Sequence, residues 1–134
     1  MNEALLVAGL VFVGLAALIH FYIFYLESIA WSKPRTWKTF GLRTQVDADT
    51  VRPMAYNQGY YNSFLAAGII VGIVLIATPR LEQAGVALVL FSAVSMVFAA
   101  TVLITSNPKL ARAAVLQGAA PLVGSVLLVL AVVL

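Results

Sequence analysis

Four long apolar stretches decide what this chain can fold into: residues 4–31, 56–77, 84–105 and 113–134. A bilayer's hydrocarbon core is about 30 Å thick, and a helix rising about 1.5 Å per residue crosses it in roughly 20 residues. Each stretch meets that length. Each is apolar all round rather than along one stripe, which separates a span from a helix resting on a soluble core. The runs are too long, and too free of polar alternation, for transmembrane strands. The fold class that follows is an all-α membrane protein, an antiparallel four-transmembrane-helix bundle forming one domain over residues 1–134.

Composition excludes the alternatives. Hydrophobic residues are 63% and charged residues 10% of the 134, against roughly 45–50% and about 25% in soluble domains. So small a body could not hide that much apolar side chain from water. A disordered chain needs the opposite balance. Cysteine is absent, which removes disulfides, thiolate metal sites and cysteine nucleophiles. The N-terminus carries Glu3 and no Lys or Arg before the first apolar run, so that run reads as a span and not as a cleavable signal.

Punctuation sets the topology. Thr78-Pro79-Arg80 and Ser106-Asn107-Pro108-Lys109 close the second and third spans with short turns, making spans two to four sequential antiparallel neighbours. The first loop, residues 32–55, is longer. Trp37 and Phe40 lie there among basic residues, which places it on the membrane surface. Asp47 is expected to cap a short helix through Arg52. Trp31, Trp37, Tyr56 and Tyr60 read as an aromatic belt.

Lys33, Arg35, Lys38, Arg43 and Arg52 lie in the first loop, Lys109 and Arg112 in the third, and Arg80 alone in the second. Seven cations against one put loops 32–55 and 106–112 in the cytoplasm and both termini outside. The net charge of +3 therefore reports topology and contact with anionic membrane lipid, and no nucleic-acid partner is expected.

Polar residues within the spans then stand out, because each is costly in hydrocarbon. His20 and Glu27 lie seven residues apart, two turns along one face of span one. Span two opens with Asn57, Gln58, Tyr61 and Asn62. Thr101 lies near the end of span three and Gln117 near the start of span four. Antiparallel order brings these positions to one level, in the half of the bundle facing the cytoplasm. The other half is almost wholly apolar. Two readings follow: a polar pocket between the helices under a dry plug, or polar residues acting as interhelical glue, each worth around 1 kcal/mol or less. A neutral structural role for His20 and an ion pair of Glu27 with Lys33 or Arg35 belong to the second reading.

Small residues govern helix approach. Gly59, Ser63 and Ala67 repeat every four residues on span two, with Gly68 and Gly72 on another side. Such faces serve packing within the bundle or a homodimer through Gly68 and Gly72. No phosphate-binding loop or nucleophile elbow is present. With one His and no Cys, neither a metal nor a cofactor is expected. If there is catalysis, His20 and Glu27 are the acid–base candidates, set about 10 Å apart along the axis.

Two segments carry a resemblance. His20 to Glu27, followed by Trp31 and Pro34, gives H-x6-E-x3-W-x2-P, and Asn57 to Asn62 gives N-Q-G-x-Y-N. Together they resemble a family of small bacterial four-helix integral membrane proteins catalogued as a domain of unknown function. The resemblance extends to Gln117 and Pro121 and carries over to Asn57, Gln58, Gly59, Tyr61 and Asn62. It implies the fold and a bacterial inner membrane, and no activity. The leading expectation is a bundle that binds a small amphipathic or lipid-like molecule, with His20, Glu27, Asn57, Gln58, Tyr61, Asn62, Thr101 and Gln117 as ligand-binding residues. The alternatives are a structural or accessory subunit acting through helix contacts, and a small transporter or channel, which the apolar outer half disfavours.

Overall fold

A computed structural model describes all residues, 1–134. Helix α1 runs Glu3–Phe24 and passes into a π-helical turn over Tyr25–Ile29. A short α2, Pro34–Thr39, is followed by α3, Gln45–Ile76, α4, Glu82–Ser106, a single 3₁₀ turn at Pro108–Leu110, and α5, Ala111–Val133. There are no strands. Four helical segments are long and apolar enough to cross a membrane: Glu3–Ile29, Gln45–Ile76, Glu82–Ser106 and Pro108–Val133. The chain is thus a multi-pass membrane protein.

The four long helices form a closed ring. Helix α1 packs on α3 and α5, and α4 packs on the same two, while α1 and α4 barely touch across the diagonal. The backbone N–H of Asn2 donates to the Ala131 carbonyl at 2.8 Å, tying the start of α1 to the end of α5. The centre is filled by apolar side chains from all four helices, among them Val13, Ala17, Ile69, Ala93, Met96 and Leu128. Without a hydrophobic drive between helices in lipid, such packing depends on close approach. Gly72 shows how close: a Cβ there would stand 2.9 Å from the Gly85 carbonyl oxygen of α4. Gly68 likewise faces Ser92 of α4. The glycine face offered for a homodimer is therefore occupied inside the chain.

The first loop differs most from expectation. Helix α3 begins at Gln45, not near Tyr56, and its 32 residues make a rod of about 48 Å, longer than the hydrocarbon it crosses. The cap is Thr44, not Asp47. The Thr44 hydroxyl accepts from the Asp47 N–H at 3.1 Å and donates to the Asp47 carboxylate at 2.7 Å. The first bond satisfies an end N–H that otherwise has no partner, and the second holds the cap hydroxyl in place. Pro53 sits inside the helix; the carbonyl it leaves free belongs to Asp49, at an exposed position open to water.

Folding α2 back over this extension buries both indoles. Trp31 is 6% and Trp37 4% exposed, so neither belongs to a lipid-facing belt. They form a second, smaller core with Ala48 and Ala55, flanked by Phe40, Leu42 and Val51. The Trp31 Nε1–H donates to the Ala48 carbonyl at 2.9 Å. An indole needs apolar shelter and one polar partner; Trp31 has both, whereas the buried Nε1–H of Trp37 has shelter and no partner. Tyr56 and Tyr60 do face outward, with hydroxyls 3.4 Å apart.

Candidate functional site

The ends of α1 and α4 and the starts of α3 and α5 lie at one end of the bundle, as the alternating chain direction requires. At that end α1 loosens into its π turn, where the Ala30 N–H reaches back five residues to the Tyr25 carbonyl at 2.8 Å. Such wide turns are rare and often accompany function. This one carries Glu27, which is 9% exposed.

Helix α3 receives the π turn at Gly59. A Cβ at Gly59 would stand 3.1 Å from the Glu27 Cβ and would collide with the Ser28 hydroxyl. Only a bare backbone allows this approach. Two hydrogen bonds fix it. The Ser28 hydroxyl donates to the Tyr56 carbonyl at 2.9 Å. The Asn62 side-chain amide donates to the Glu27 carboxylate at 2.9 Å and to the Gln58 carbonyl at 3.1 Å. Glu27 therefore pairs with a neutral amide on the neighbouring span. Lys33 and Arg35, considered as its ion partners, stand exposed in the loop beyond.

His20 lies deeper on α1 and is 1% exposed. Its Nδ1 is 2.9 Å from the Ala16 carbonyl oxygen. A carbonyl only accepts, so Nδ1 carries a hydrogen, and when the ring is neutral Nε2 holds the lone pair. His20 is bonded to its own helix and not to Glu27.

The other expected residues separate. The buried face of α3 reads Ala55, Gly59, Ala66 and Ile69, with Asn62 half-buried on the same stripe. These positions step by three and four, the spacing of one helix face. Asn57, Gln58 and Tyr61 fall between the steps and are exposed. Tyr61 packs edge-on against Phe64, with ring centroids 6.4 Å apart. Thr101 is exposed and donates to the Val97 carbonyl of its own helix at 2.9 Å. Gln117 is half-buried on α5. The single polar layer across four helices thus resolves into a pair between two, with His20 above it in α1. Two cavities of about 350 and 280 Å³ lie elsewhere, between α4 and α5, with almost wholly apolar linings that include Thr101.

Sequence reasoning did not find the π turn, since nothing in Tyr25-Leu26-Glu27-Ser28-Ile29 marks it. It also missed the Ser28 bond and the buried Ser92, while Ser125, the one polar exception legible in the apolar half, is buried. A usable signal for the contact does exist: a Gly three residues before an Asn in an apolar helix gives room and a donor on the same face.

Fold and site together define a class: a small four-span membrane protein with a buried carboxyl–amide pair bridging its first two spans. The chain belongs to the family described as protein of unknown function (DUF1304), whose model matches residues 14–129. It is also similar to the uncharacterized protein YpaA of Lactococcus lactis subsp. lactis (strain IL1403), 37% identical over 60 residues. That match covers 44% of this chain and half the length of the relative. No solved structure matches.

Proposed function

We propose that this protein binds a small amphipathic or lipid-like molecule whose polar end meets Glu27 and Asn62. The observation that supports the reading is a buried carboxyl with a neutral amide as its partner. A carboxylate taken out of water without a countercharge loses several kcal/mol of solvation, of the order met in buried ion pairs. It gains most from a ligand head that donates hydrogen bonds or carries positive charge. Asn62 supplies the polar contact beside it, and the His20 Nε2 lone pair is a further acceptor in the same helix. Approach is from the end bearing loops 32–55 and 106–112, the cytoplasmic end on the cation count, which leaves both termini outside; the membrane is the bacterial inner membrane that the family resemblance implies.

The test is mass spectrometry of small molecules co-purifying from gently solubilised membranes, with wild type and Glu27→Gln compared. Glu27→Gln keeps the shape and removes the charge. A species enriched on the wild type and reduced about tenfold or more on the variant is the expected result. Identical bulk lipid on both proteins overturns the proposal.

The Glu27–Asn62 bond also favours a second reading, in which the pair is structural glue between α1 and α3 in an accessory membrane subunit. On that reading Asn62→Leu lowers stability and leaves the co-purifying molecules unchanged. An acid–base role for His20 and Glu27 would need a bridging substrate or water, since the two side chains are not bonded to one another.

A further inference from the structure

The two cavities between α4 and α5 share Val97 and Leu122 and so form one continuous furrow on the outer face. Its origin is local. A Cβ at Gly118 would stand 2.7 Å from the Ala100 Cβ, so the helices nearly touch there and only small side chains floor the gap. Val115, 59% exposed, stands on its lining as an outward wall. The Thr101 hydroxyl is spent on the Val97 carbonyl, and the Ser125 hydroxyl, which has no partner, is buried beneath the lining, which leaves the surface suited to an apolar occupant. From Ala114 to Leu130 the furrow extends about 24 Å along α5. That is deeper than one leaflet, half of a core about 30 Å thick.

One end opens between Ile104 and Ala114, beside the 3₁₀ turn that holds Lys109 and the start of α5 that holds Arg112, both exposed. No acid occurs in residues 106–112. Gly41 lies against Leu110, 3.7 Å from a Cβ position to the leucine side chain, so the loop bearing exposed Lys38 and Arg43 stands alongside. An apolar slot entering the bilayer from a cationic rim matches one chemistry. We propose that this furrow holds an acyl chain of an anionic phospholipid, with the lipid phosphate against Lys109 and Arg112. The site is distinct from Glu27 and does not rest on the reading given above for that residue.

The test uses the full chain in nanodiscs of phosphatidylethanolamine containing a minority of phosphatidylglycerol, released into native mass spectrometry. The wild type should retain one phosphatidylglycerol in preference to phosphatidylethanolamine. Lys109→Gln/Arg112→Gln should weaken retention roughly thirty-fold, as two cations near an anionic surface imply. Ala119→Trp fills the furrow from an exposed position and should weaken it about tenfold with both cations intact. Val115→Trp repeats that arm should Ala119→Trp fail to fold. Three results overturn the proposal: equal retention of both lipids by the wild type, full phosphatidylglycerol retention by both tryptophan variants, or loss of a dimer in place of a lipid, which would make a second copy the occupant.

Discussion

Gly59→Ala tests the site's geometry with one methyl group. The new Cβ would lie 3.1 Å from the Glu27 Cβ and overlap the Ser28 hydroxyl. Ser28 can rotate away only by giving up its bond to the Tyr56 carbonyl, a loss of about 1 kcal/mol. The Glu27 Cβ has less freedom, because its carboxylate is held by Asn62. Overpacking of this kind costs about 1–3 kcal/mol. Alanine's better helix propensity returns about 1 kcal/mol. The net expectation is a destabilisation of about 1–3 kcal/mol, read from reversible unfolding in mixed micelles. Adding Ser28→Ala removes the overlapping hydroxyl, so the double variant should be more stable than the two single effects predict, by about 1 kcal/mol in a double-mutant cycle. A Gly59→Ala protein as stable as wild type, or more stable, would refute the close approach of the π turn to α3. A cycle with no coupling would refute the assignment of the clash to Ser28.

Four further outcomes are expected. Asn62→Leu should destabilise by about 1–3 kcal/mol because it strands the Glu27 carboxyl, and Glu27→Leu in the same chain should recover most of that loss in the unfolding assay. Trp31 and Trp37 should fluoresce in the blue and resist quenching by brominated lipids; strong quenching would restore the aromatic-belt reading. Gly72→Leu should prevent α3 from seating on α4 and unfold the monomer, seen as loss of a compact species in size-exclusion and protease protection, where a dimer contact alone would leave the monomer intact. Single cysteines replacing Lys38 and Arg80 should label from opposite faces of sealed vesicles, and labelling from one face would overturn the four-span topology.

The spans were legible because hydrocarbon admits no subtlety: about 20 apolar residues in helical form either cross or do not fit. The site was legible in part. Depth placed His20, Glu27 and Asn62 in one half of the bundle, and depth needs only residue count and span direction. Facing was harder. Asn57, Gln58, Tyr61 and Asn62 occupy little more than one turn, and one residue's rotation of about 100° decides between neighbour helix and lipid. The deciding landmark was Gly59, whose bare backbone marks the side that approaches α1. The first loop was least legible. Its tryptophans and cations fit a surface segment equally well, and only the bond from Trp31 to Ala48, between parts of the chain distant in sequence, distinguishes a folded cap from an interfacial one.

The ring has a consequence for biogenesis. Its final edge joins the first span to the last: α5 packs on α1, and the Asn2 N–H bonds to Ala131. While the ribosome is still delivering α5, the flank of α1 that carries Gly9 and Val13 has no partner in its own chain, although Leu128 and Gly124 will later fill it. Helices α1, α3 and α4 can pack in order as they emerge, but the ring cannot close before α5 arrives. Three inserted helices wait, with one side of α1 open to lipid or to an insertion factor, until the last span arrives. Chains truncated before α5 accordingly leave the Gly9 and Val13 flank of α1 uncovered.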